Sequence, residues 1–182
     1  VCIITKETLE DGDSFLAQGG ISTLKDEDDY DSYFDDTMKA GHYENNPEAV
    51  DRMIRESTQI IDDLCSYGVE FEREGDTLRY AREGAHSVSR VLYHEDTTGK
   101  EITSKLLMQV KQRGNISLCE NTWMLDILKD ETGCHGAVIR GNDGKIGTIH
   151  AGLSFGQQAV LEDCLRAQPI IPISQGMHWQ SP

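Results

Sequence analysis

Arg82-Glu83-Gly84-Ala85-His86-Ser87 places a guanidinium, a carboxylate, an imidazole and a hydroxyl on one glycine-loosened loop. It stands between two further short motifs. Upstream lies Asp13-Ser14-Phe15-Leu16-Ala17-Gln18-Gly19-Gly20-Ile21, and downstream lies Arg90-Val91-Leu92 followed by Asp96-Thr97-Thr98-Gly99. Glycine pairs let a backbone pass close to a ligand, and Gln18 offers both a donor and an acceptor. Any one of these segments is only a loop signal; the three in order carry the reading.

Around them the chain alternates helix and strand patterns. Val1-Cys2-Ile3-Ile4-Thr5 is a short apolar, β-branched run expected as a buried parallel strand. Asp26 to Asp36 is intensely acidic and reads as a solvated loop that ends in a helix start, continued from Met38 to Gly41. Pro47 to Tyr67 is the clearest helix: Asn46 caps it, Pro47 fits its first position and Gly68 ends it. Val50, Met53, Ile54, Ile60, Ile61 and Leu64 form its apolar stripe.

Val69-Glu70-Phe71 reads as a strand paired with Leu78-Arg79-Tyr80 across Glu74-Gly75-Asp76. A second helix is expected from Lys100 to about Arg113, ended by Gly114, then a strand over Ile116–Glu120. Trp123 to Leu128 follows, then a turn at Thr132-Gly133, and Gly136–Arg140 and Ile146–His150 form a β-hairpin across Asn142-Asp143-Gly144. Mixed elements without internal repeats indicate an α/β nucleotide-binding domain.

Composition narrows the partners. The 182 residues carry 32 acidic against 17 basic side chains, a net charge of -15. That balance excludes nucleic acid and anionic membranes, which need clustered Lys and Arg. No apolar run reaches the length of a membrane span, and no leader peptide is visible. Hydrophobic residues make up 37% and mean hydropathy is -0.49, so a large self-sufficient core is not expected. Cys2, Cys65, Cys119, Cys134 and Cys164 show no C-x-x-C spacing, which indicates free thiols in a reducing cytoplasm. The six histidines form no ligand pair, and no metal is expected.

The order and spacing of the three motifs resemble the flavoprotein subunits of the fumarate reductase and succinate dehydrogenase superfamily. Within it the chain is most similar to the L-aspartate oxidases, which carry A-Q-G-G-I and R-E-G-G-H-S at about these positions. The resemblance runs from Val1 to roughly Ala151. It implies an α/β, incomplete Rossmann-like FAD-binding domain with an antiparallel β-hairpin region over residues 1–152. The first strand and the G-x-G-x-x-G turn would precede Val1. The implied cofactor is FAD and the implied reaction is oxidation of L-aspartate to iminoaspartate in NAD biosynthesis, with fumarate as a related dicarboxylate ligand.

By the same resemblance Lys6, Asp13, Ser14, Ala17, Gln18, Gly19, Gly20 and Met124 contact FAD. Asp13 stands where the family has Ser or Asn, and a carboxylate there faces phosphates. Glu83 contacts the substrate, and His86 and Ser87 donate to a substrate carboxylate or to the flavin. Glu83 favours aspartate over succinate, because its carboxylate can pair with the α-ammonium group that distinguishes the two. Ala85 replaces a family glycine, at a cost on the order of 1 kcal/mol if the position needs positive φ. Arg90 is expected in a structural ion pair. The catalytic Arg and His donors of the family belong to a capping domain further along, so no catalytic residue is assigned and the chain alone is expected to be inactive. Two other readings stay open: a fumarate reductase or succinate dehydrogenase flavoprotein, and a non-catalytic acidic fragment of one.

Residues 153–182 depart from the family pattern, which calls for A-T-G-G after His150-Ala151. Joining the last base of each codon to the first two of the next, from Gly156/Gln157 onward, permits A-T-G-G-I-G-G-L-F-E-G-S-T-N-Y-P-H-L-T-G-D-A-L-A-I-S. Met177 and Trp179 have single codons, so Met177-His178-Trp179-Gln180 is forced to A-L-A, where the family has T-G-D-x-x-A. The Phe155/Gly156 junction gives Trp or Arg in place of the usual Leu. This tail is expected to be frame-shifted, with His178 and Trp179 carrying no function.

Overall fold

The computed structural model describes residues 1–151 and the pair Met177–His178. The frame-shift expectation for residues 153–182 otherwise lies outside the described residues. The chain divides into two compact units, Val1–Asp13 with Arg113–Pro182, and Ser14–Gln112. No described helix is long and apolar enough to cross a membrane.

In the first unit, strand β1 (Cys2–Ile4) lies parallel to a later strand, Ser117–Cys119, with Ile3 opposite Leu118. The expected parallel strand is there, but half-buried rather than fully buried. Its end is pinned by three backbone bonds: Thr5 N–H to Cys119 O (3.0 Å), Thr122 N–H to Thr5 O (2.8 Å) and Asn121 N–H to Glu7 O (3.2 Å). Trp123–Asp130, Gly133–Arg140 and Ile146–Ala151 form an antiparallel meander, and Met177–His178 pairs with its last strand. A register irregularity between Met124 and Asp126 leaves Leu125 out of the ladder, as a β-bulge does.

The second unit opens with a short helix, α1 (Asp13–Leu16, its first residue still in the other unit), and strand β2 (Ile21–Ser22). The acidic run then corrects the sequence expectation. It is a 3-10 turn at Glu27–Asp29 leading into helix α2 (Tyr30–Ala40), and Asp29 is buried. Helix α3 (Pro47–Ser66) matches its sequence signals: Asn46 Oδ1 accepts from the N–H groups of Glu48 (2.9 Å) and Ala49 (3.3 Å), which satisfies two orphan donors. Val50, Ile54, Ile61 and Leu64 are buried, whereas Met53 and Ile60 are exposed.

Val69 and Phe71 are buried without joining a strand. The hairpin partners are instead β3 (Arg73–Glu74) and β4 (Thr77–Leu78), while β5 (Tyr80–Ala81) turns to pair with β6 (Val91–Leu92), which also pairs with β2. Helix α4 covers Thr98–Lys111. Two apolar clusters result. Ile61, Leu64, Val69, Phe71 and Leu92 gather with Ile102 and Leu106, and Tyr33, Val50 and Ile54 gather with Leu24 and Phe34. Burying each such side chain contributes about 1.5–3 kcal/mol.

In the first unit, Cys2 Sγ lies 3.8 Å from Cys119 Sγ. Burial, and then the neighbouring Cys119, push the Cys2 thiol up to about 11 from its ordinary 9.0. The thiolate is the reactive form. At pH 7.5 Cys2 is therefore expected to alkylate about 100-fold more slowly than an unperturbed thiol, by mass-spectrometric time course. Equal rates would show that the pair does not shield it.

Candidate functional site

The second unit concentrates its polar chemistry around Arg90, whose side chain is fully buried. Its guanidinium reaches Asp29 through two bonds, Nε to Oδ2 (3.0 Å) and Nη2 to Oδ1 (2.7 Å). Nη2 also donates to Ser32 Oγ (2.7 Å), and Nη1 donates to Asp36 Oδ2 (2.6 Å). Its plane lies 4.8 Å from the centre of the Tyr33 ring. Asp29, Ser32, Tyr33 and Asp36 follow i, i+3, i+4, i+7 spacing, so α2 and the turn before it present them as one helical face. The structural ion pair expected for Arg90 is thus present, with two acids. No sequence motif marked Asp29 or Asp36; that spacing is the signal that could have found them.

Asp36 also anchors the Arg82–Ser87 loop. Its Oδ2 accepts from both the N–H (2.6 Å) and the Oγ (2.7 Å) of Ser87. Burial acts to raise the Asp36 carboxyl, but the Ser87 N–H, Arg90 and the Ser87 hydroxyl outweigh it and bring it down to about 2. Ser87 is therefore turned to a carboxylate of the protein, and its donors are engaged. Arg82 Nε closes the loop on itself by donating to His86 O (2.9 Å). Ala85 adopts φ +70°, the left-handed region in which the family glycine would be unstrained.

His86 is half-buried, with Nδ1 at 2.9 Å from Arg90 Nη1 and Nε2 at 3.1 Å from Ser22 Oγ. Burial, and then the Arg90 charge, lower its pKa below the ordinary histidine value, against the opposite pull of Asp36, Asp29 and Glu83. Glu83 is exposed and forms no ion pair among the described residues. His86 and Ala85 border a cleft of about 480 Å³ whose other walls include Ser22, Tyr33, Met53 and Ile60. The exposed apolar residues of α3 thus line this cleft.

The glycine segment of the same unit is held by backbone carbonyls. Gly99 N–H donates to Ala17 O (3.0 Å) and Thr98 Oγ to Gly19 O (2.5 Å), while Gln18 Nε2 donates to Asp96 Oδ2 (3.1 Å). The two motifs that surround the central loop in sequence therefore bond to each other. A Cβ at Gly99 would overlap the Ser14 and Ala17 carbonyl oxygens, so only glycine permits this approach. Gly19 has φ +76°. Among the described residues, the N–H groups of Gln18 and Gly19 have no protein acceptor. This carbonyl-anchored turn leaves two N–H donors for an external acceptor.

In the first unit, Lys6 is exposed just past β1, with no ion pair among the described residues, on the segment pinned to residues 119–122. Met124 is half-buried next to the strand irregularity, and Asp13 is exposed at the first position of α1. No group of three or more His, Cys, Asp and Glu side chains suited to a metal occurs among the described residues.

Residues 1–164 match the family described as FAD binding domain. The chain is 37% identical over 151 residues to an L-aspartate oxidase of Clostridium perfringens, covering 83% of this chain and 34% of that protein. It is 40% identical over 152 residues to the L-aspartate oxidase of Clostridium acetobutylicum, covering 83% and 35%. It therefore spans about a third of the length of these relatives. An E. coli quinol fumarate reductase structure superposes with a TM-score of 0.79 at 23% identity, over 84% of this chain and 26% of that one. A flavocytochrome c3 fumarate reductase gives 0.70 at 21%, over 82% and 27%. At these identities the structural likeness establishes the fold.

Two outcomes follow from this geometry. Ala85→Gly relieves the left-handed strain and should stabilise the protein by about 1 kcal/mol in urea unfolding; a destabilised variant would mean that the loop does not hold this conformation. Because the Asp36 pKa is depressed on folding, its contribution to stability is complete above about pH 4, the ordinary aspartate value. It is lost as pH falls through about 2. The urea-midpoint difference between wild type and Asp36→Asn should therefore shrink between those pH values, followed by circular dichroism. A constant difference would show that the Asp36 charge is not what matters.

Proposed function

Since the chain belongs to the FAD binding domain family, we propose that it forms the flavin-holding part of a cytoplasmic enzyme that oxidises L-aspartate to iminoaspartate. In this reading its α/β elements are an incomplete Rossmann-like domain, with β1 and its parallel partner belonging to the nucleotide-binding sheet. The 37–40% identity to L-aspartate oxidases supports the choice of substrate. The observation that carries it is Glu83: an exposed carboxylate without a cation partner among the described residues, on a loop anchored through Ser87 to Asp36. A substrate ammonium supplies the missing charge. Fumarate and succinate have none.

The residues divide the work by their chemistry. The free N–H groups of Gln18 and Gly19 donate to the polar edge of the ring system, and Ser14 and Ala17 shape the turn that presents them. Lys6 donates to phosphate or ribose oxygen, and the Met124 backbone runs beside the adenine. Asp13 is set apart from phosphate, since two anions repel. FAD, when bound, supplies the acceptor for the hydride leaving the substrate Cα. Glu83 orients the substrate by its ammonium group, and the Nε2–H of His86 donates to a substrate carboxylate by exchanging its partner in this structure, Ser22 Oγ at 3.1 Å. Ser87 contributes by fixing the loop. The remaining Arg and His donors belong to a capping domain such as the resembled enzymes carry.

Glu83→Gln keeps size and hydrogen bonding but removes the charge. In a flavoenzyme of the relatives' full length carrying these residues, kcat/KM for aspartate should fall about 30-fold or more. That corresponds to the roughly 2–5 kcal/mol lost when one member of a charge pair is removed from a site closed to water, as the capping domain would close over the Glu83 carboxylate, which is exposed in this chain. Fumarate reduction should be nearly unchanged. Equal losses for both substrates would assign Glu83 to the loop or the flavin and end the case for aspartate.

A further inference from the structure

We infer that Arg90 is a positioning residue for the substrate loop: its Nη1–H bond to His86 Nδ1 fixes that imidazole as the uncharged Nε2–H form and so leaves the Glu83 carboxylate free for a substrate ammonium. This inference rests on the reading of aspartate as substrate.

The argument begins with hydrogen-bond polarity. A guanidinium carries five donors, no acceptor, and does not deprotonate in proteins. Nη1 lies 2.9 Å from Nδ1, so Nδ1 must offer its lone pair. The single ring proton then resides on Nε2, which lies 3.1 Å from Ser22 Oγ. A second proton on Nδ1 would set two donors and two positive charges against each other inside a half-buried site.

Arg90 cannot swing away to admit that proton. Its side chain is fully buried, held by Asp29 through two bonds, by Ser32 and by Asp36. The Tyr33 ring packs against both groups, edge-on to His86 at 6.0 Å and under the guanidinium. The charged groups around His86 are Arg90, Asp36 and Asp29 together with Glu83 on its own loop. Asp36 and Asp29 pull toward protonation of the ring, but both are bonded to Arg90, and burial with the Arg90 charge outweighs them. The depressed His86 pKa agrees with this geometry.

The consequence for recognition lies on the same turn. The main-chain N–H of His86 donates to the Glu83 carbonyl at 3.3 Å, which closes the turn that carries both side chains. A cationic His86 would pair with Glu83 or repel an incoming ammonium. A neutral one does neither, and its single N–H faces Ser22 Oγ.

The test is a histidine 15N NMR titration of the whole 182-residue chain, assigned with His86→Gln. His86 is expected as the Nε2–H tautomer, titrating below the ordinary value of about 6.5. An Nδ1–H tautomer, or titration at or above that value, overturns the inference. Asp36→Asn removes one nearby negative charge and leaves the Arg90 bond intact, so His86 should titrate lower still. A rise would show that Asp36 rather than Arg90 sets its state. Arg90→Lys, which cannot serve both acids and the imidazole, should bring the titration back up. If that variant does not fold, the wild-type tautomer and Asp36→Asn decide. In the full-length flavoenzyme, kcat/KM for aspartate should show no inflection attributable to His86. An inflection near pH 6.5 that His86→Gln abolishes overturns the inference. An enzyme that turns over fumarate but never aspartate overturns the substrate reading instead, and with it the purpose assigned to the neutral ring, while the NMR result on the ring itself stands.

Discussion

A guanidinium with no exposure to water, in a chain of net charge -15, is the constraint around which the second unit is arranged. Removing such a charge from water costs several kcal/mol unless partners surround it. Here Asp29 meets it through two bonds, Asp36 and Ser32 occupy its remaining edges, and Tyr33 lies under its plane. No buried side-chain polar atom among the described residues is left without a partner. The acids that satisfy Arg90 come from the α2 region, while Arg90 itself immediately precedes β6. One ion-pair cluster therefore fixes helix to strand and, through Ser87, fixes the candidate substrate loop to both.

That economy explains why the loop tolerates a residue unsuited to it. Ala85 sits at φ +70°, where a Cβ is unfavourable, between a closing bond from Arg82 and the Asp36 anchor on Ser87. Strain of about 1 kcal/mol is small beside a network of charged hydrogen bonds worth roughly 1.5–3 kcal/mol each. The surrounding structure over-determines the turn.

Much of this was legible in the sequence where the signal is local. Asn46, Pro47 and Gly68 delimit α3 by backbone chemistry alone, and Asn142-Asp143-Gly144 marks its hairpin because few residues accept that turn. Three features escaped for physical reasons. Asp26–Asp36 looks solvated because acidic residues are rarely buried, and nothing local shows that Arg90 will neutralise two of them. Val69 and Phe71 look like strand residues, yet burial rather than a backbone ladder selects them. Met53 and Ile60 fit the α3 stripe but border a cleft, since a helical pattern specifies a face and not what covers it. The candidate site divides in the same way. Glu83 and His86 lie within a recognisable motif, whereas the partner of Ser87 is 51 residues away.

The distance along the chain between Arg90 and its acids also bears on how the unit assembles. They are separated by 61 and 54 residues, with α3 between them. Contacts of such high sequence separation form only after a long loop has closed. Until α2 and β6 have met, the guanidinium has no reason to leave water. The cluster therefore cannot form before that approach is complete. Release of Arg90 would therefore free α2, β6 and the loop from one another in a single event, because Asp36 is shared by Arg90 and Ser87.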